Sequence, residues 1–269
     1  MNLSIQKKAL VCAVEAARSA GALMQKKLGA AKKINEQSQH DIKLELDVRC
    51  QKLIEKILLS AFPQAAILGE EGVSGADDAE LRWVIDPIDG TVNFTYGIPH
   101  ACVSIALQKK ITSRKTQNAN YTSLVGVVYD PFCDELWTAI RGEPARLNGK
   151  KIHASRRGKL NEAIVAIGFA KQRESLQKNL PVFNNLIHRV RKVRIMGSAA
   201  LALTYVASGR FDGYIESGIR LWDIAAGGLI LESAGGDFFH QAIDDDHGYR
   251  MVANNGLLRK KLEKIARSR

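Results

Sequence analysis

The chain is predicted to fold as layered α-helices and β-strands in the α+β class, rather than as a Rossmann βαβ series. Apolar, strand-like runs follow one another in meander-like groups, and helical pairs separate those groups. No GxGxxG or Walker sequence is present. The 269 residues are enough for one large domain, and no internal repeat divides them. We therefore predict a single domain over 1–269.

Two helices and then a series of strands are predicted in the first half. Apolar residues recur in steps of four and three, which predicts an amphipathic helix over 4–28. A second helix over 45–61 stops before Pro63, because a proline disfavours helical geometry in the residue before it. A polar, basic run over 109–121 is predicted to be an extended hairpin tip. The strands are predicted at 66–69, 83–86, 101–107, 124–129 and 135–140.

The second half alternates between the two types of element. In order, we predict a strand at 163–168, helices at 175–191 and 198–208, a strand at 211–216, a helix beginning at Asp223, a strand at 250–253 and a terminal helix.

Composition is that of an ordinary soluble globular protein, with 46% hydrophobic and 25% charged residues. No apolar run reaches the roughly 18 residues that a membrane span requires, and the start of the chain does not resemble a secretory signal. The four cysteines are widely spaced without a CxxC, which favours thiols over disulfides. We predict a cytoplasmic protein.

The net charge of +11 makes the chain strongly basic. The basic residues cluster in three segments, at 156–159, 189–194 and 259–261. Such surfaces steer phosphorylated substrates or bind nucleic acid through its phosphates. Plain solvated faces are the alternative, and no aromatic-interleaved nucleic-acid motif accompanies the clusters.

The most informative motif is Asp86-Pro87-Ile88-Asp89-Gly90-Thr91, which follows an apolar run. The strand is predicted to end at Asp86, because Pro87 removes a backbone donor and sets φ. Two carboxylates at the mouth of a strand suit Mg²⁺, which prefers carboxylates, waters and phosphate oxygens as ligands. Taken alone, Asp-Pro and Asp-Gly are also ordinary turn dipeptides.

Two distant acidic segments favour the metal interpretation. Glu70 and Glu71 end an apolar run between glycines, and Asp223 stands where an apolar helix begins. An aspartate there is commonly an N-cap, but the helix behind Asp223 is apolar enough to be buried. The six histidines lack zinc-type spacing, and Ser198 lacks a GxSxG context, so zinc and serine-esterase chemistry are disfavoured.

With these motifs in order, the chain resembles the inositol monophosphatase family of the Mg²⁺-dependent, lithium-sensitive phosphatase superfamily. The segments 197–201 and 209–214 are similar to those of the bacterial extragenic-suppressor subgroup. The resemblance implies a layered α/β/α/β/α sandwich of the inositol monophosphatase/fructose-1,6-bisphosphatase type. It also implies an active site where a metal-binding half, 1–150, meets a substrate-contacting half, 151–269.

The resemblance further implies two to three Mg²⁺ ions. Glu70, Asp86 and the backbone carbonyl of Ile88 would hold the first ion. Asp86 would bridge to a second ion, which Asp89 and Asp223 complete. A third, weaker ion would lie beside Glu70.

The resemblance implies that Thr91 and Asp41 together activate the attacking water. The family usually shows Asp-x-Val-Thr-x-x-Asp at the matching segment, whereas this chain has Lys43 and Leu44 where Val and Thr are expected. Asp41 keeps its spacing to Asp47, although a turn residue before a helix is the alternative for it. The departure puts the third ion in doubt.

The implied substrate is an inositol monophosphate, hydrolysed to inositol and phosphate by metal-activated water. Backbone amides of Gly90 and Thr91 at a helix start would bind the phosphate. Glu216 resembles the glutamate that bonds an inositol hydroxyl, with a solvated strand-end acid as its alternative. The substrate-binding residues implied in this way are Asp89, Gly90, Thr91, Gly197, Ser198, Ala199 and Glu216.

The resemblance also bears on substrate selectivity and on binding partners. Val92-Asn93-Phe94 resembles the inositol group, where a lysine after Thr91 would suggest nucleotide-bisphosphate or histidinol-phosphate enzymes. A broader sugar phosphatase that accepts fructose 1,6-bisphosphate is the alternative. The resemblance also implies a homodimer, with 150–195 as its interface, and a further role in binding RNA or the transcription machinery through the basic clusters.

Overall fold

The computed structural model describes residues 1–30, 34–37, 42–76, 78–111, 120–169, 173–244 and 247–267. The helices are α1 (Leu3–Lys27), α2 (Glu45–Ala61), α3 (Thr91–Thr95), α4 (Arg173–Ile187), α5 (Ala199–Ala207), α6 (Leu221–Ser233) and α7 (Arg259–Ala266). The strands are β1 (Ile34–Gln37), β2 (Ile42–Leu44), β3 (Ala66–Gly69), β4 (Gly72–Ser74), β5 (Leu81–Asp89), β6 (Cys102–Ile111), β7 (Asn120–Asp130), β8 (Glu135–Ile140), β9 (Arg146–Leu147), β10 (Lys150–Lys151), β11 (Ile164–Ile167), β12 (Lys192–Arg194), β13 (Gly213–Arg220), β14 (Asp237–Ala242) and β15 (Gly248–Asn254).

Two large sheets organise the molecule. The first has the order β10-β9-β8-β7-β6-β5-β3-β4, in which only β3 and β5 pair in parallel. The second has the order β12-β11-β13-β15-β14, with β11 parallel to both of its neighbours. Strands β1 and β2 form a separate antiparallel pair.

The helices form three layers around these sheets. Helices α1 and α2 pack on one face of the first sheet, α5 and α6 lie between the two sheets, and α4 and α7 cover the outer face of the second sheet. Three apolar clusters of buried side chains hold the layers together, and one of them joins α5 and α6 to both sheets. The predicted α/β/α/β/α sandwich is thereby confirmed.

Small side chains set the close approach of α1 to the first sheet. Ala13, Ala16, Ala17 and Ala20 are fully buried on the packed face, and alanine is both the best helix former and the shortest apolar side chain. The helix begins at Asn2, whose side chain accepts a hydrogen bond from the amide of Ile5.

The cysteines, the lengths of the helices and the β6–β7 hairpin can be compared with what the sequence predicts. Cys12, Cys50 and Cys102 are buried free thiols, and Cys133 is an exposed one, as predicted. Within the described part of the chain, every helix is too short or too polar to cross a bilayer. The hairpin tip is predicted at 109–121, but 109–111 and 120–121 belong to the paired strands β6 and β7. The remaining residues, 112–119, lie outside the described part of the chain.

Candidate metal centre

Strand β5 carries the first two acids of the site. The predicted end of this strand at Asp86 is wrong, because β5 continues to Asp89 through an irregularity in its pairing with β6. A bulge accommodates Pro87, since a proline cannot donate to the neighbouring strand. Asp86 and Asp89 are 1% and 7% exposed. The bulge therefore brings two carboxylates, three residues apart, into one buried corner.

Glu70 follows strand β3, the parallel neighbour of β5. Its amide donates to the carbonyl of Ile85 at 3.1 Å, which holds it beside Asp86. Gln51 of α2 fixes the turn after it, accepting from the amide of Glu71 at 2.9 Å and donating to the carbonyl of Gly72 at 3.0 Å. A side chain at Gly69 would overlap the amide group of Gln51. The glycine therefore allows α2 to approach this turn.

Asp223 approaches from the middle layer of helices. It lies in the first turn of α6, where its Oδ2 accepts a hydrogen bond of 3.0 Å from the amide of Arg220. Ser104 of β6 donates to the carbonyl of Trp222 at 3.1 Å and ties the start of the helix to the first sheet. Asp223 is thus an N-terminal helix acid, as the sequence suggests, and it also faces the acids of β5.

The three aspartates form one cluster. Oxygen atoms of Asp86, Asp89 and Asp223 all lie within 4.8 Å of one another. Burial raises the pKa of Asp86 and of Asp223 well above the usual range, and repulsion from Glu70 and Asp89 raises it further. Buried like charges at this spacing are unfavourable unless a cation neutralises them. Because every donor is an oxygen, the cluster fits a hard divalent ion such as Mg²⁺.

The start of α5 binds the carboxylate of Asp89. Its Oδ2 accepts from the hydroxyl of Ser198 at 2.6 Å and from the amide of Ala200 at 2.7 Å, and its Oδ1 accepts from the amide of Ala199 at 3.2 Å. Burial raises the pKa of Asp89, while these hydrogen bonds oppose the rise. The helix start that the sequence places beside a sugar ring thus directs two amides at Asp89.

The segment after Asp89 approaches the second half closely. Gly90 has φ of +97°, and a Cβ there would lie 3.0 Å from the carbonyl oxygen of His100, so the position favours glycine. The hydroxyl of Thr91 donates to the carbonyl of Ile88 at 2.9 Å. Asn93 donates to the carbonyls of His100 and Met196, both at 2.9 Å. The side chain of Asn93 therefore joins α3 to the loop before α5.

A cavity of about 560 Å³ opens above the cluster. The acids of β5 and α6 line it together with Gly168 and Glu216. Glu216 is 8% exposed, so its alternative as a solvated strand-end acid is wrong. Among the described residues that line the cavity, Arg220 is the one basic side chain. Acidic side chains therefore outnumber basic ones among the described residues that line the cavity.

Most of the site residues named from the sequence line this one cavity. These are Glu70, Asp86, Ile88, Asp89, Gly90, Thr91, Gly197, Ser198, Ala199, Glu216 and Asp223. Asp41 lies outside the described residues, so its placement stays a prediction. Sequence reasoning missed Gln51, Ala200 and Tyr214. The hydrogen bonds of Gln51 to the turn after β3 join residues about 20 positions apart, so no local signal in the sequence points to them.

Comparison with known proteins gives a consistent result. The chain matches the model of the inositol monophosphatase family over residues 5–268. It is 40% identical over 230 residues to "Nus factor SuhB" of Pasteurella multocida, an alignment that covers 83% of this chain and 82% of that protein.

Two solved structures share its architecture. The extragenic suppressor protein suhB of Bartonella henselae has 32% identity and a TM-score of 0.86, covering 97% of this chain and 99% of that one. An inositol monophosphatase of Anabaena (Nostoc) sp. PCC 7120 has 36% identity and a TM-score of 0.82, covering 96% and 95%.

The family and subgroup expected from the sequence are therefore confirmed. The family match spans nearly the whole chain, and relatives of the extragenic-suppressor type align with most of its length. With its layered fold and its buried acidic cluster, this protein belongs to the inositol monophosphatase family.

Proposed function

We propose that this protein is a Mg²⁺-dependent phosphomonoesterase that hydrolyses inositol monophosphate to inositol and phosphate. The observation that carries the proposal is the convergence of three carboxylates at the floor of a cavity of about 560 Å³. Membership of the family supports a metal-dependent phosphatase, and the Anabaena relative is called an inositol monophosphatase. The single domain with a metal-binding and a substrate-contacting half is part of this proposal.

Five groups are proposed to hold two Mg²⁺ ions: Glu70, Asp86, the carbonyl of Ile88, Asp89 and Asp223. Asp86 would be shared, and a third ion would lie beside Glu70. Such ions neutralise the phosphate dianion, acidify a water and stabilise the leaving alkoxide. Oδ1 of Asp89 suits a cation, because it accepts one amide while Oδ2 accepts both a hydroxyl and an amide.

Thr91 and Asp41 are proposed to orient the attacking water. The Thr91 hydroxyl already donates its hydrogen to Ile88, so its lone pairs face outward as acceptors for a water hydrogen. Asp41 would accept the second hydrogen and take up the proton as the water attacks. Leu44 is 1% exposed and has no hydroxyl to contribute at the position where the family usually has threonine, which supports weak binding of the third ion.

Phosphate and polyol would bind at opposite walls. The amides of Gly90 and Thr91 are proposed to contact phosphate oxygens, since an exposed main chain at a glycine lets an anion approach closely. Glu216, a hydrogen-bond acceptor when ionised, would bind a hydroxyl of the polyol. The loop of Gly197 and Ser198 would complete this wall beside Asp89.

The proposal is tested by phosphate release from inositol 1-phosphate, fructose 1,6-bisphosphate, NADP and adenosine bisphosphate. We expect the highest kcat/KM with inositol 1-phosphate, loss of activity in EDTA and recovery when Mg²⁺ is restored. Comparable rates with fructose 1,6-bisphosphate would support the broader sugar phosphatase instead. A preference for either nucleotide would contradict the interpretation of Asn93.

Lithium inhibition belongs to the same proposal. Lithium is expected to compete for a magnesium position that Asp223 helps to form, and so to lower turnover at millimolar concentration. Rates measured across a lithium series at fixed Mg²⁺ test this, with sodium as the matched control. Equal effects of the two alkali ions would argue against it.

A second candidate function is contact with RNA or the transcription machinery. The Pasteurella relative is called a Nus factor, and the three basic segments lie side by side here. Lys261 donates to the carbonyl of Gly158 at 2.6 Å, while the amides of Arg191 and Lys192 both donate to the carbonyl of Ala163. These hydrogen bonds bring the segments together near the start of β11, and we propose that their exposed basic side chains form one positively charged surface.

One residue of this surface has a structural role instead. The guanidinium of Arg157 lies 2.7 Å from Oδ1 of Asp212, which is fully buried, and it also donates to the carbonyl of Gly209. Oδ2 of the same carboxylate accepts from the amide of Ile164 at 2.8 Å. Arg157 therefore neutralises a buried acid, and the exposed Arg191 and Lys192 are the better test positions.

The double reversal Arg191→Glu with Lys192→Glu should weaken binding to RNA and flatten its salt dependence, while phosphate release stays normal. The matched control is Lys7→Glu with Lys26→Glu on α1, which makes the same change in net charge on the opposite outer layer. RNA binding titrated across a salt series provides the measurement. Equal losses in both pairs, or no salt-dependent binding by the wild type, would remove this function.

A further inference from the structure

The carboxyl group of Glu216 is held by two neighbours at the cavity wall. Tyr214 lies two residues earlier on β13, on the same face of the strand, and donates its hydroxyl to Oε2 of Glu216. Both side chains are buried, Tyr214 being 3% exposed and Glu216 8%. Since the phenol occupies one carboxylate oxygen, it restricts the direction in which the other oxygen points.

Gly168 forms the surface on which that carboxylate rests. It follows β11, whose Ala166 pairs with Tyr214, and its amide donates to the carbonyl of Ile215 at 3.1 Å. A Cβ built at Gly168 would overlap the carboxyl group of Glu216. Any larger residue at 168 must therefore displace the carboxylate, which is the movable end of its side chain.

The hydroxyl of Tyr214 stays a donor over the working pH range. Burial raises the pKa of Tyr214 well above its usual value, and the negative charge of Glu216 raises it further. A protonated phenol has one hydrogen to donate, and here it points to Glu216. The pair is thus a fixed hydrogen-bonded unit rather than two independent polar groups.

We propose that Tyr214 and Gly168 are positioning residues that direct Glu216 at a substrate hydroxyl. They would thereby set the preference of the enzyme for polyol phosphates over phosphate esters that lack such hydroxyls. An ionised carboxylate only accepts hydrogen bonds, so it selects for a hydroxyl donor. A site built to bond a hydroxyl binds analogues without one more weakly, because the hydrogen bond from that hydroxyl is then missing.

This inference rests on the proposed phosphatase function, and its test separates the two. We would measure kcat and KM for inositol 1-phosphate and for phenyl phosphate, which carries no polyol hydroxyl, in Mg²⁺. The variants are Tyr214→Phe and Gly168→Ala. The matched control is Tyr129→Phe, which removes a tyrosine hydroxyl that donates to Asp134 at 3.0 Å outside the cavity.

In both variants the KM for inositol 1-phosphate should rise about tenfold, as expected for the loss of one hydrogen bond to a charged group. The kcat/KM for inositol 1-phosphate divided by that for phenyl phosphate should fall by about the same factor. The control should keep the wild-type ratio. Gly168 has no left-handed backbone conformation, so alanine there tests the displacement of Glu216 without backbone strain.

A double-mutant cycle shows whether Tyr214 acts through Glu216. On a Glu216→Ala background, Tyr214→Phe should cause no further change in the ratio, because the interaction is already absent. If the effects of Tyr214→Phe and Glu216→Ala were additive, the inference would be wrong while the phosphatase function stood. The same would hold if both single variants were active and kept the wild-type ratio. A wild type that hydrolyses neither ester would overturn the phosphatase function and this inference with it.

Discussion

Asp89 takes part in two interactions at once. Its carboxylate accepts hydrogen bonds from the start of α5, and it also belongs to the cluster with Asp86 and Asp223. One residue therefore connects the proposed metal position to the second half of the chain. This double role explains why it tolerates burial, since three donors stabilise its charge even before a cation binds.

Replacing Asp89 by asparagine should reduce turnover by at least ~10³-fold, because two-metal charge stabilisation supplies several kcal/mol of the barrier. Initial rates in saturating Mg²⁺ provide the measurement, and Asp134→Asn, at an exposed acid, is the control. Near-normal turnover of Asp89→Asn would show that the metal assignment is wrong.

Asp223→Asn should have opposite effects on stability and activity. Removing one of the clustered negative charges relieves repulsion, so the metal-free protein should gain on the order of 1 kcal/mol, or about 2–4 °C in Tm. The same change should abolish turnover and the rise of Tm with added Mg²⁺. Thermal unfolding in EDTA and in Mg²⁺ tests both effects, and a lower Tm in EDTA would contradict the repulsion argument.

At the residue scale the sequence predicts the acids and misses their supports. Glu70, Asp86 and Asp223 stand at ends of apolar runs, where the pattern itself marks them. Gln51 acts through contacts that depend on how α2 packs against the turn after β3, and nothing local in the sequence records them. Tyr214 lies two residues before Glu216 on β13, but the i, i+2 spacing shows only that the two share a face of the strand and not that they form a hydrogen bond. Short motifs therefore reveal ligands better than the groups that orient them.

Among the elements, the contact of α2 with the turn after β3 is the most sensitive to substitution. Gly69→Ala should push the Gln51 amide aside and break its hydrogen bonds to Glu71 and Gly72. We expect a loss of about 1–3 kcal/mol in the free energy of unfolding, together with a higher Mg²⁺ requirement, because the turn carries Glu70.

Urea denaturation and a Mg²⁺ titration of activity provide the two measurements for Gly69→Ala. Combining it with Gln51→Ala should cost less than the sum of the single changes, because the overlap is then relieved. Gly29→Ala is the control, since a Cβ there meets nothing within 4 Å. Additive losses would show that the two residues do not act through each other.

Long periodic elements were predictable, and short edge strands were not. Helix α2 and strands β3 and β8 have the predicted bounds. Strands β4, β9, β10 and β12 are two or three residues long, so alternation has no room to appear in them. Six-residue β14 also escaped prediction, because four of its residues are exposed and its register is set by β15.

For the whole molecule, the homodimer stays a prediction. Among the residues of the 150–195 region whose side chains the structure describes, Leu180, Ile187 and Ile195 are large apolar residues that are 55%, 50% and 60% exposed. Sedimentation at micromolar protein should give about twice the 29.6 kDa chain mass. Ile195→Glu should shift it toward the single-chain value, and Val73→Glu, at an equally exposed site, should not. A single-chain mass for the wild type would reject the dimer.

The layered architecture follows from the family resemblance, but the order of strands within each sheet does not follow from local pattern. Strand β5 pairs in parallel with β3 and antiparallel with β6, and these neighbours are chosen by packing across the whole sheet. The placement of α5 and α6 between the sheets likewise depends on apolar surface on all sides of both helices.

The middle layer of helices, which both sheets share, determines how the molecule unfolds. Helices α5 and α6 bury side chains against both sheets in one continuous core, so peeling off either sheet would leave half of that core in water. Neither sheet can therefore unfold independently of the other. Heating should therefore give one cooperative transition, with equal calorimetric and van't Hoff enthalpies, and the acids at the edge of this core should lose their geometry only when the entire chain unfolds.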